Sequence, residues 1–126
     1  MNLTTLFKKR EQMLHQPLEN CHDGIGALDW VNVLDGDDLA SKRLNFLHDD
    51  ILPPGVSIGS HQHTDDEEYY YIISGCGVMT LNDEQFAVNA GDITAVYPGG
   101  SHGLVNTGSE DLRIMVVSVK HESNQP

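Results

Sequence analysis

The stretch Gly55-Val56-Ser57-Ile58-Gly59-Ser60-His61-Gln62-His63-Thr64-Asp65-Asp66-Glu67-Glu68-Tyr69-Tyr70-Tyr71-Ile72-Ile73-Ser74-Gly75 sets two histidines one residue apart, with carboxylates close behind. In an extended strand, residues i and i+2 point to the same face. His61 and His63 can therefore look into one cavity. Glu68, Tyr70 and Ile72 share a face by the same alternation, which favours Glu68 over its neighbour Glu67 as the inward acid. Much later in the chain stands His102. Borderline divalent cations favour imidazole together with carboxylate, so His61, His63, Glu68 and His102 read as a set of metal ligands.

Outward from this stretch the chain is a succession of short apolar runs. Strands are predicted at 30–34, 44–52, 69–74, 78–81, 85–88, 93–97, 103–106 and 112–119. Turn formers separate them, among them Asp35-Gly36-Asp37, Pro53-Pro54-Gly55, Asn82-Asp83-Glu84, Asn89-Ala90-Gly91-Asp92, Pro98-Gly99-Gly100 and Thr107-Gly108-Ser109. Regular short strands without intervening helices indicate an all-β sandwich or closed barrel of jelly-roll type. Before them, residues 3–16 space Leu3, Leu6, Phe7, Met13 and Leu14 as an amphipathic helix that Pro17 would end. Residues 20–28 read as loop. The expected organisation is an N-terminal arm and loop over 1–29, a β-barrel domain over 30–120 and a C-terminal tail over 121–126.

With 126 residues the chain has the length of one domain. Its formal net charge of −12 rests on only seven Lys and Arg. Phosphate recognition needs a basic stripe, so nucleic acid is not an expected partner. No run is long enough for a membrane-spanning helix, and the first ten residues lack the apolar core of a signal peptide; a cytoplasmic location and no membrane partner are expected. Cys21 and Cys76 are too few for a disulfide framework and read as free thiols. The acidic run Asp65-Asp66-Glu67 reads as a solvated turn.

A second block, Gly91-Asp92-Ile93-Thr94-Ala95-Val96-Tyr97-Pro98-Gly99-Gly100-Ser101-His102-Gly103-Leu104-Val105-Asn106, carries the remaining histidine. The two blocks together resemble the cupin superfamily. Its first motif is Gly, five residues, His-x-His, three or four residues, Glu, six residues, Gly; the chain matches it with Glu68 as the acid. Its second motif is Gly, five residues, Pro-x-Gly, two residues, His, three residues, Asn. Here Tyr97 stands in place of the first proline, while Gly99, His102 and Asn106 fall in register. The resemblance spans about residues 44–119 and is greatest to small single-domain bacterial cupins described as oxalate-decarboxylase-like or mannose-6-phosphate-isomerase-like. It implies a double-stranded β-helix, one divalent transition metal on His61, His63, Glu68 and His102, and a homodimer paired through strand edges.

Iron, manganese, nickel, cobalt and zinc all accept such ligands. Three neutral imidazoles and one carboxylate leave a divalent ion one net positive charge and, if it is octahedral, two adjacent positions. A small anionic or polyhydroxylated ligand is the expected partner: a hydroxy or keto acid, a dicarboxylate or a sugar derivative. Fold alone does not choose the chemistry. One reading is an enzyme, a dioxygenase, decarboxylase or isomerase/epimerase, with Tyr70 and His48 as candidate catalytic groups. The other is a non-catalytic module that binds or senses a sugar or organic acid. His22 is placed to cap the cavity; Asn106 is read as fixing a turn, Arg113 as a surface ion pair, and His15 and His121 as facing solvent.

Overall fold

The computed structural model describes residues 4–36, 38 and 40–122. Leu3 of the expected helix, Asp37 of the first turn and residues 123–126 of the expected tail lie outside that set. Among the described residues, ten strands follow in chain order: β1 (Leu14–Glu19), β2 (Ala27–Leu34), β3 (Leu44–Leu52), β4 (Ser57–Gln62), β5 (Asp66–Ser74), β6 (Cys76–Leu81), β7 (Glu84–Asn89), β8 (Ile93–Val96), β9 (Ser101–Val105) and β10 (Leu112–Lys120). They form two antiparallel sheets, a six-stranded one ordered β1-β2-β3-β10-β5-β8 and a four-stranded one ordered β4-β9-β6-β7.

The alternation read from the sequence builds the interior. In β10, Leu112, Ile114, Val116 and Ser118 are buried, and in β5 Glu68, Tyr70 and Ile72 are buried while Tyr71 faces out. The core joins both sheets through Leu28, Leu52, Ile58, Ile72, Met79, Val88, Leu104 and Ile114. A fully buried aliphatic side chain contributes roughly 1.5–3 kcal/mol relative to exposure, so this interior is the main source of stability. Gly75 (φ +88°) turns β5 into β6 with the Asp111 backbone where a Cβ would stand. Buried Asn106 ties the far end of the barrel: its Nδ2 donates to Leu52 O and Glu110 O, both at 2.8 Å, and its Oδ1 accepts from Gly108 N at 2.8 Å. The turn-fixing role expected of Asn106 is what these bonds perform.

The amphipathic helix expected at 3–16 does not form among the described residues. Only a 3-10 turn at Arg10–Gln12 is present, and β1 begins at Leu14. Pro17 lies inside β1 rather than ending a helix. A proline cannot donate to a ladder, and it is tolerated here because β1 is the edge of its sheet. The 20–28 segment holds a 3-10 turn at Cys21–Asp23 and the start of β2.

Candidate metal centre and adjoining pocket

β4 and β9 set His61 directly across from His102 in an antiparallel pair. Reaching this register needs a bulge. Ile58 pairs with Leu104 and His61 with His102, so β4 carries one residue more than its partner between those pairs. The extra residue shifts the phase of β4, so that Ile58 can fill the core while His61 joins His102. His63 follows just past the end of β4, held there by backbone bonds between His63 N and Gly100 O (2.9 Å) and between Gly99 N and His63 O (2.8 Å). Glu68 enters from the other sheet on β5, 6% exposed.

The ligand atoms of these four residues all lie within 4.8 Å of one another. His102 Nε2 is 3.0 Å from His63 Nε2, 3.1 Å from His61 Nε2 and 3.2 Å from Glu68 Oε1. The outer nitrogens decide what the inner ones offer. His61 Nδ1 lies 2.7 Å from Gly59 O, and a carbonyl only accepts, so this nitrogen carries the proton. His63 Nδ1 donates in the same way to Asp66 Oδ1 at 2.7 Å. Both Nε2 atoms therefore present lone pairs toward a third imidazole and a carboxylate. At most one proton, on His102 Nε2, is available to that group of acceptors. A cation satisfies all four at once, and the donor set fits a divalent transition metal. Burial pushes His61 down to about 4, which keeps its ring neutral as a ligand must be.

Glu67 turns outward, where it accepts from Tyr69 Oη and meets His121 Nδ1, each at 2.7 Å. His121 is thus paired rather than only solvated, and His15 is exposed near Asp29. Arg113 holds Asp49 with two bonds of 2.9 and 2.7 Å, an ion pair outside the cavity that Arg10 joins at 2.7 Å. Asp66 is more than a solvated turn residue: one oxygen orients His63, and the other accepts from buried Ser118 Oγ at 2.6 Å. Carboxylates behind metal-bound imidazoles fix ring orientation, and their loss typically costs 10–100-fold in affinity. Asp66→Asn is expected to weaken metal binding by about that factor, measured by competition with a chelator of known affinity.

Beside Glu68 opens a pocket of about 120 Å³, lined in part by Cys21, His22, Trp30, His48, Asp50 and Tyr70. A cavity of that size suits a small ligand. His22 caps the site: its ring stacks on His61 with centroids 3.5 Å apart and planes 12° apart. The backbone of His22 adopts the left-handed region (φ 51°, ψ 44°), and the turn packs so closely on β4 that a Cβ at Gly59 would strike the His22 carbonyl. Burial lowers the His22 pKa and pushes the Cys21 thiol up to about 11. Tyr70 is buried with its ring 4.5 Å from that of His102, and desolvation first, then Glu68, raises its phenol well above 10.

Trp30 Nε1 donates to His48 Nδ1 at 3.1 Å, so a neutral His48 carries its proton on Nε2. Burial pushes His48 down to about 4. An unfolded chain takes up this proton near 6.5 and the folded chain only near 4, so acidification through that window favours unfolding. From pH 7 to pH 5, metal-free wild type should lose between roughly 1 and 2 kcal/mol more than His48→Gln, allowing for partial exposure. Denaturant titrations at the two pH values check the difference. Asp50 pulls the opposite way in both proteins, so only their comparison isolates His48. The parts played by Trp30, Asp66 and Asp50 carry no spacing signature of their own.

A two-sheet β-barrel with three imidazoles and a carboxylate gathered inside one end defines a class of metal-binding barrels. The chain belongs to the cupin family: the Cupin_2 family model, cupin domain, matches residues 49–118. It is 30% identical over 116 residues to an oxalate-binding protein of Thermotoga maritima, covering 92% of this chain and 95% of that one. The crystal structure of a predicted oxalate decarboxylase from Thermotoga maritima superposes with a TM-score of 0.85 at 28% identity, covering 92% of this chain and all of that one. KdgF from Halomonas sp. shares the fold, with a TM-score of 0.75 at 16% identity over 98% of this chain and 100% of that chain. Among the described residues, no helix is long and apolar enough to cross a membrane.

Proposed function

We propose that the chain holds one divalent transition metal on His61, His63, Glu68 and His102, and with it binds a small dicarboxylate or hydroxy acid, oxalate being the first to test. The observation that carries this reading is the convergence of three Nε2 atoms and Glu68 Oε1 beside a cavity of about 120 Å³. Bound there, a divalent ion supplies a Lewis acid and a positive charge that orients adjacent ligand oxygens. Among the described residues, the pocket walls include no lysine or arginine, so attraction for an anion falls to the metal and to neutral donors. The likeness to an oxalate-binding protein over nearly the whole chain supports the same ligand class.

A second reading has the bound acid turned over, with His48 and Tyr70 as the groups that hold or move a proton. It is favoured by their placement on the wall shared with Glu68. His48 presents Nε2–H and Tyr70 a phenol far from ionisation, so both would serve as donors rather than bases. Metal analysis of protein purified without added metal, then oxalate titration and oxygen-consumption screening, separates the readings. Tight binding without turnover supports the first reading; product formation or substrate-dependent oxygen uptake moves the assignment to an enzyme. We also propose a cytoplasmic C2 homodimer joined near the β1 edge, where Leu6, Phe7, Leu14 and Ile25 are exposed. Light scattering at twice the chain mass is the expected result.

A further inference from the structure

β3 carries two adjacent aspartates to opposite sides of its sheet. Asp49 goes to Arg113 and Arg10, and Asp50 goes inside, 4% exposed. The Oδ1 of the Asp50 carboxyl is buried and has no hydrogen-bond partner. A buried carboxyl oxygen without a partner is costly, and Asp50 is also part of the pocket wall that contains Glu68.

We propose that Asp50 is a ligand-contacting residue, its carboxyl group donating a hydrogen bond to a carboxylate of the small acid bound at the metal. The inference rests on the metal-dependent binding proposed above and names the group that meets the ligand away from the ion. An ionised Asp50 would repel such a ligand, so the carboxyl must hold its proton when the ligand is bound. Its surroundings favour that form. From β5 it faces Glu68 and Tyr70, from the Cys21–Asp23 turn Cys21 and His22, and along its own strand His48, while Asp49 lies on the other side of the sheet. β2 and β10 bring no cation to it: Trp30 and Ile114 pair directly with Asp50, Val116 lines the same pocket, and Arg113 is engaged by Asp49. Burial, with Asp49 and Glu68 adding repulsion, pushes the Asp50 carboxyl up to about 7. Asp50 shares no hydrogen bond with any of the four metal ligands. A larger depression, about 270 Å³ beside Asn82 and Tyr97, gathers no histidine, cysteine or carboxylate.

Binding at a pH where Asp50 of the free protein is ionised must then be accompanied by proton uptake at Asp50. Oxalate is titrated calorimetrically into manganese-loaded wild type and Asp50→Asn at pH 6 and pH 8, in two buffers of different ionisation enthalpy. Asparagine keeps the shape of the side chain and offers a permanent donor. Wild type is expected to take up more protons per oxalate at pH 8 than Asp50→Asn does, by as much as about one, and to lose more affinity than the variant between pH 6 and pH 8. Equal metal content in the two proteins shows that the ion site is intact. Oxalate binding with no extra proton uptake in wild type and the same affinity profile in both proteins overturns the role of Asp50 but leaves metal-dependent binding standing. No oxalate binding to either loaded protein overturns both. The wild-type proton count alone decides the matter if the variant fails to fold: no uptake at pH 8 contradicts the assignment.

Discussion

His61→Ala and His102→Ala are each expected to lower metal affinity by more than about 100-fold and to leave the purified protein without bound metal. The reason lies in how little else could replace the lost nitrogen. The four ligand atoms already lie within 4.8 Å of one another, and His22, the nearest spare imidazole, lies stacked flat on His61. His61 is half-buried at the barrel mouth, so its truncation should leave the core untouched. His102 is fully buried with Nδ1 unpartnered, so its loss removes an unsatisfied polar atom along with the packing. Circular dichroism and a cooperative melt check that the barrel persists, and elemental analysis reads the metal. Retention of a full equivalent by either folded variant would show that the ligand set is misassigned.

Gly59→Ala is expected to destabilise the protein by roughly 3 kcal/mol and to open the metal site as well. Backbone packs against backbone here: a Cβ at Gly59 meets the His22 carbonyl, and a Cβ at Gly24 meets the Ser57 carbonyl. Neither side can rotate away as a side-chain end would. The Cys21–Asp23 turn is further fixed by Ser57 N donating to Ile25 O (2.9 Å) and Ile25 N donating to Ser57 Oγ (2.8 Å). Displacing the turn would unstack His22 from His61 and disturb the Gly59 carbonyl that orients His61 Nδ1. Stability by denaturant titration and metal affinity by chelator competition should fall together. A variant of wild-type stability would mean that the turn is free to lift off β4.

Much of this arrangement is legible in the sequence because alternation is a strong constraint on strands with one buried face. The 44–52 strand has the observed bounds of β3, and the preference for Glu68 over Glu67 follows from the same phase that buries Tyr70 and Ile72. β4 is the instructive omission. Ser57-Ile58-Gly59-Ser60 has low strand propensity, and its pairing depends on β9 and on the 20–26 loop packing against it. The bulge that turns both Ile58 and His61 inward breaks the period of two, so a strict reading of alternation sends them to opposite faces. At the N-terminus, apolar spacing over 3–16 mimicked a helix, and the sheet edge that accommodates Pro17 is a tertiary feature. Asp66, Trp30 and Asp50 act through partners 3 to 52 residues away in the chain, or through burial alone, and no local pattern encodes those relations.

The most direct test of metal-dependent ligand binding is a pair of calorimetric titrations of oxalate, one into the protein carrying one equivalent of manganese and one into the same protein stripped by chelation. One-to-one binding to the loaded protein and none to the stripped protein is the predicted result. Equal binding to both would contradict it, because the ligand would then be held by the pocket walls without the ion. A loaded protein that binds no oxalate would contradict it equally.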